Sequence, residues 1–182
     1  AGSAAGDGTG GRGTDPSVIG VSVAASLPIP PGFKPVTRPV DGKYTFMVTG
    51  SKPGELFPET EGLLSGTLVY TVYLGIGVRP DWVLQYCLPT SAPPASGALD
   101  APYPYLMLLP PLSYDWDEER VFVHGMLDPQ GRLRSLRLIG DAPPADKDLL
   151  MESLNRWEFR PASRGGKPVA LEVLLIVPKR QR

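Results

Sequence analysis

Cysteine and histidine are each present once, as Cys87 and His124, among 182 residues. A single cysteine excludes an intramolecular disulfide. No cationic residue flanks it in sequence to favour a thiolate, so Cys87 reads as a small buried hydrophobe. A single histidine with no cysteine cluster near it argues against a tetrahedral metal site, and no cofactor is expected. Charge of one sign is also lacking: the formal net charge is −1, which gives no pull toward nucleic acid or an anionic membrane surface. No window approaches about 18 consecutive apolar residues, so no membrane-spanning helix is expected.

Catalytic signatures are equally sparse. No serine sits in a glycine elbow with a matching histidine and aspartate. Gly6 to Gly13 has G-x-G spacing but lacks the preceding strand and following helix of a phosphate loop. Asp115, Asp117, Glu118 and Glu119 form an acidic run that reads as a solvated approach to a strand rather than as a pair of catalytic carboxylates.

What the chain has in quantity is proline (22) and glycine (21), unevenly spread. This favours an extended stretch attached to a β-rich folded part. Residues 1–40 form the first segment. Ala1 to Asp15 is too poor in apolar side chains to offset its ordering entropy. Val18 to Val23 has the composition of an edge strand, and the prolines from Pro28 to Pro39 favour a polyproline-like path. The chain opens at Ala1, without Met, as expected where a signal or inner-membrane anchor has been removed.

Residues 41–115 form the second segment. Tyr44 to Val48 is a short strand candidate. Gly66 to Gly75 and Trp82 to Leu88 read as a hairpin around Pro80-Asp81. In the first of these strands Leu68, Tyr70, Val72 and Leu74 face one way, and Val69 and Tyr73 the other. A strand apolar on both faces is covered on both. Pro89 to Pro111 is read as a long proline-rich loop.

Residues 116–182 form the third. Arg120 to Leu127 is a strand with Val121 and Val123 on one face and Phe122 and His124 on the other. Asp128-Pro129-Gln130-Gly131 is a turn in which aspartate opens, proline presets φ and glycine accepts positive φ. Leu133 to Ile139 returns, carrying Arg134 and Arg137 after Arg132. Gly125, inside the first strand, predicts a bulge or a close backbone approach. Asp146 is the expected N-cap of a helix from Lys147 to about Arg156, with Leu150, Leu154 and Trp157 in one stripe. The last strand, Val169 to Val177, places Val169, Leu171, Val173, Leu175 and Val177 on one face and Glu172 on the other.

The hairpin with its Asp128–Gly131 turn, the helix, then Trp157-Glu158-Phe159-Arg160-Pro161-Ala162 and Gly166-Lys167-Pro168-Val169 resemble, in order, the TonB C-terminal domain family between about Asp117 and Pro178. Glu119 stands where that family usually has glycine. Tyr103-Pro104 is the counterpart of its helix-opening Tyr-Pro signature, further upstream than usual. The resemblance implies an α+β fold, a mainly antiparallel sheet with one helix packed on it, here extended by an additional N-terminal β-hairpin. Asp128, Gly131, Leu150, Leu154, Trp157, Phe159 and Pro161 would be structural.

It further implies a non-enzymatic module in the periplasm, anchored in the inner membrane or secreted. In the family the last strand lies at a sheet edge and pairs with an outer-membrane receptor peptide. Carried over, Val169, Leu171, Glu172, Val173, Leu175 and Val177 would meet the partner, with Arg160, Tyr103 and Pro104 beside them. ExbB/ExbD-like motor proteins would complete an energy transducer. The alternative is a structural or adaptor protein with the same fold and no energy coupling, for example a homodimer through edge strands, which follows if the additional hairpin covers that edge.

Overall fold

A computed structural model describes residues 28–45, 47–92 and 97–180. The expected edge strand at Val18 to Val23 and the glycine-rich run before it lie outside the described residues. The elements are β1 (Lys34–Thr37), β2 (Met47–Ser51), β3 (Val69–Leu74), β4 (Trp82–Cys87), β5 (Leu99–Asp100), β6 (Tyr103–Leu109), β7 (Arg120–Leu127), β8 (Leu133–Ile139), α1 (Pro144–Leu154), β9 (Glu158–Arg160), β10 (Ser163–Arg164), β11 (Lys167–Pro168) and β12 (Leu171–Pro178). All pairings are antiparallel. Among the described residues the architecture is therefore mostly antiparallel sheet with a single short α-helix, α+β or mainly β. No helix among the described residues is long and apolar enough to cross a membrane.

The largest sheet has six strands in the order β2-β3-β4-β12-β7-β8. Both predicted hairpins, β3-β4 and β7-β8, lie in it, joined through β12. The boundary drawn at 115/116 falls between β6 and β7, yet β4 and β7 flank the same strand across it. Among the described residues two three-stranded sheets, β1-β6-β9 and β11-β10-β5, accompany the large sheet.

One face of the large sheet carries Val72, Leu74, Leu84, Val121, Val123, Leu171, Val173, Leu175 and Val177. These pack with Met107 of β6, Leu150 and Leu154 of α1, Trp157 and Phe159 in one core. The opposite face carries Val69, Val83, Cys87, Phe122, Leu174 and Ile176, covered by Phe57, Leu63 and Leu64 from the β2–β3 connection. Two-sided burial of β3 accounts for its apolar residues on both faces.

The reading of Pro89 to Pro111 as loop is corrected by β5 and β6. Tyr103–Leu109 is apolar enough to be a core strand, and its proline is placed where it costs no ladder bond. Pro104 lies outside the β1 ladder, which spans Leu106 to Leu109, and beside an irregularity in the β9 ladder. Proline is tolerated at such positions. For the same reason Tyr103 and Pro104 open no helix.

The helix is also corrected at its start. It begins at Pro144, with Pro143 in the N-cap position. Proline at the first helical position gives up only an N–H that has no helical partner. Asp146, not the cap, is buried. It accepts from Ser113 N–H at 2.9 Å, Ser113 Oγ at 2.7 Å and Trp116 Nε1 at 2.8 Å, tying the β6–β7 connection to the helix. Burial opposes its ionisation, but these donors prevail and hold its carboxyl below the usual range.

Trp157 stacks on Trp82 with centroids 6.0 Å apart and donates Nε1–H to Leu108 O at 2.9 Å. The Ser153 hydroxyl donates to the same oxygen. The Asp128–Gly131 turn docks on this corner. Asp128 Oδ1 accepts the N–H of Gln130 and of Arg132, and Gly131 O accepts Phe159 N–H at 2.9 Å. Gly131 has φ 81°, and a Cβ there would stand 1.9 Å from Phe159 O. Gly131→Ala thus meets both a left-handed backbone and a fixed carbonyl. The expected loss is on the order of 3 kcal/mol or more, read as a fall in Tm by circular dichroism. A variant melting within about 2 °C of wild type would show that the turn does not need this contact.

Candidate functional site

β12 was expected at a sheet edge, and the pairing corrects this. Its residues from Glu172 to Ile176 pair with β4, and from Leu171 to Pro178 with β7. The additional hairpin occupies the edge that the resemblance left for a partner. Leu171, Val173, Leu175 and Val177 point into the main core. Val169 precedes the strand, half-buried, its N–H on Ala162 O at 2.9 Å. Leu174 and Ile176, on the face of Glu172, were the signal for a central strand: LEVLLIV is apolar on both faces.

Arg160 and Tyr103 are brought together, as register partners of β9 and β6. The Arg160 guanidinium lies 5.3 Å over the Tyr103 ring. It also donates to Val40 O at 3.0 Å and Gly42 O at 2.9 Å. Tyr103 and Pro104 are buried. Arg160 and Pro161 line a groove of about 620 Å³ with Lys43, Tyr44, Asp100 and Ser163. A second groove, of about 720 Å³, has Phe57, Tyr73, Val83 and Ile176 among its apolar lining and Arg79, Asp81, Glu119, Arg120 and Lys179 among its charged lining. Its cations are engaged: Arg79 with Asp81, Arg120 with Glu59, and Lys179 Nζ with Trp116 O. The acidic run Asp115, Asp117, Glu118 and Glu119 is exposed.

The most concentrated chemistry surrounds Glu172. On β12 it faces away from the main core, between Cys87 of β4 and His124 of β7. Its Oε1 accepts from Ser65 N–H at 3.0 Å and from His124 Nε2 at 2.9 Å. Its Oε2 accepts from the Ser65 hydroxyl, with Cys87 Sγ at 3.9 Å. A carboxylate in the middle of an apolar strand must find donors or lose its charge. Burial pushes the Glu172 carboxyl up, but the Ser65 and His124 hydrogen bonds outweigh it, and the net shift is downward. Cys87 responds oppositely. Burial, with the neighbouring Glu172 charge adding to it, pushes its thiol up to about 11, so it is protonated at neutral pH.

Sequence reasoning placed Glu172 on a partner surface and missed its company. The available sign was the isolated carboxylate inside an apolar run, which requires buried donors from elsewhere. Ser65 donates to the carboxylate and not to the imidazole. This order differs from a nucleophile–imidazole–carboxylate relay. What the arrangement does is hold one negative charge and fasten the β2–β3 connection to the sheet.

The structure holds Arg132, just before β8, and Arg134 and Arg137 on it in three different ways. Arg132 donates to Trp157 O and Glu158 Oε1, and Arg134 pairs with Asp128 at 3.0 Å. Arg137 is exposed. β8 is one edge of the large sheet and is bulged: its ladder to β7 shifts between His124 and Met126, and Ser135 has φ 54°. Gly125 permits this, since a Cβ there would meet Leu136 Cδ2 at 2.8 Å and Arg134 O at 2.9 Å. Comparison of the chain with family models, curated proteins and solved structures finds no match.

Glu172, with its lowered pKa, contributes stability that is present above the ordinary carboxylate pKa and is lost as pH falls through the folded value. Urea unfolding of wild type and Glu172→Gln between about pH 7 and pH 3 tests this. The variant should be less stable at pH 7 by about 1–3 kcal/mol. It should also lose less on acidification, the remainder coming from carboxylates such as Asp146. Parallel curves would mean that the carboxylate is not held by these donors in solution.

Proposed function

We propose that the chain is a non-enzymatic protein-binding module of the bacterial cell envelope, periplasmic or secreted, built around a hairpin–helix–strand unit similar to the TonB C-terminal domain. Within that reading it acts as a structural adaptor rather than as the receptor-gripping end of an energy transducer. Support for the module comes from the ordered parts: the β7-β8 hairpin, the Asp128–Gly131 turn, α1, the Trp157–Ala162 corner and β12.

The observation that favours the adaptor is the pairing of β12 on both edges. Strand addition there would first require the β4 ladder to break, and with it the burial of Val83 and Leu84. The large sheet keeps β8 and β2 as its outer strands. Of these, β8 is the better docking edge. Among the described residues no strand pairs with its outer side along Leu133–Ile139, and it carries half-buried Leu136 and Leu138 on the core side and exposed Arg134 and Arg137. An extended acidic segment suits it. An outer-membrane receptor peptide and an ExbB/ExbD-like motor belong to the transducer reading.

Amide hydrogen exchange with and without receptor-plug peptides decides between them. The adaptor predicts that Leu171–Pro178 is strongly protected alone and unchanged by every peptide. Peptide-dependent protection confined to Leu171–Pro178 would overturn the adaptor and restore the transducer.

A further inference from the structure

The chain leaves the large sheet after Ser51 and returns to it at Val69, and these two residues are register partners. Lys52–Leu68 is therefore a closed loop whose two ends meet at one point of the sheet. Four of its backbone bonds are local to it: Glu55 N–H to Lys52 O, Thr60 N–H to Phe57 O, Glu61 N–H to Pro58 O and Leu63 N–H to Thr60 O. It lies over the second face of the sheet, where it inserts Leu64 with Phe57 and Leu63 beside it. Polar fastenings stand at two places. At one, Arg120 pairs with Glu59 and stacks over Phe57, its guanidinium 5.5 Å from the ring centre. At the other, Ser65 gives its N–H and its hydroxyl to Glu172. Directly beneath that second fastening is Cys87, with no exposed surface. Gly66 lies so close that a Cβ on it would stand 2.7 Å from Cys87 Cβ.

We propose that Lys52–Leu68 is a strap that opens as a unit about the Ser51/Val69 pair, that the Ser65–Glu172 contact is its lock, and that it gates access to the Cys87 thiol and the apolar strip around it. Opening breaks no strand pairing, because the strap contributes no strand to any sheet. It releases an exposed ion pair that holds weakly in water, a few apolar contacts, the Gly66 N–H contact with the Cys87 sulfur and the lock. It also hydrates Glu172, which offsets part of the loss. Local units of this kind open well below the free energy of global unfolding.

Since Cys87 is the only cysteine, its reaction with dithiodipyridine reports strap opening without any engineered label. The labelling rate is measured at pH 7 against urea for wild type, Ser65→Ala and Glu172→Gln. Near-UV circular dichroism of the stacked Trp82 and Trp157 follows global unfolding in the same samples. The expected result is labelling of wild type in native buffer with little urea dependence, while the tryptophan signal stays native. Ser65→Ala should raise the rate about tenfold by removing one charge-assisted bond, out of proportion to any change in its urea midpoint. Glu172→Gln should act in the same direction. Labelling that follows the global transition in wild type, with the same urea dependence, would overturn the proposal. So would a Ser65→Ala rate that changes only as its global stability does.

Discussion

Pairing of β12 along both of its edges is the constraint from which most of the molecule follows. A strand between two neighbours has no main-chain group left for solvent. Its position in the middle of a six-stranded sheet also leaves both of its faces in need of cover. One face receives β6, α1 and Trp157; the other receives the connection between β2 and β3. The apolar residues on both faces of β12, β3 and β4 are the compositional counterpart of that arrangement, and removing either cover would expose a contiguous apolar strip.

Glu172 is the exception within this strand. Its carboxylate is held among apolar neighbours, where an unpartnered charge would cost far more than one surface interaction can return. The donors come from three separate parts of the chain: Ser65 from the connection, His124 from β7 and, more weakly, Cys87 from β4. One buried charge thereby helps to set the position of the loop, together with the Arg120–Glu59 pair at its other end. Such polar requirements are directional in a way that apolar contacts are not.

The hairpins were legible because they depend on short-range chemistry: β-branched, aromatic and apolar runs in Val69–Leu74 and Arg120–Leu127, and a turn in Asp128–Gly131 where proline and glycine have positional meaning. Gly125 was legible too, as a close approach in a strand. What could not be read was pairing at long range. Nothing local in Leu171–Pro178 says that β4 will lie beside it, although Leu174 and Ile176 excluded a half-exposed strand. β6 was hidden for another reason. Proline density from Pro89 to Pro111 outweighed the apolar run Tyr105–Leu109, when the position of each proline relative to the ladder mattered more than their number. Asp146 was misplaced because a helix start was sought in its side chain, while Pro144 already supplied one and the carboxylate was needed for Ser113 and Trp116.

The contacts made by the Trp157–Ala162 stretch bear on what its resemblance to a family can mean. Trp157 stacks on Trp82 and holds Leu108 O, and the Phe159 N–H is taken by Gly131. Arg160 caps carbonyls at Val40 and Gly42, and Ala162 has no exposed surface. Each of these residues is spent inside the fold, joining the helix end, the turn and the small sheets. A motif composed of such residues specifies how a scaffold closes, and the same closure serves whether the neighbouring edge is open or filled. Function is therefore decided not by the motif but by what the rest of the chain places beside β12. In this chain that is β4, and among the described residues the outer strands of the large sheet are β2 and the bulged, arginine-bearing β8.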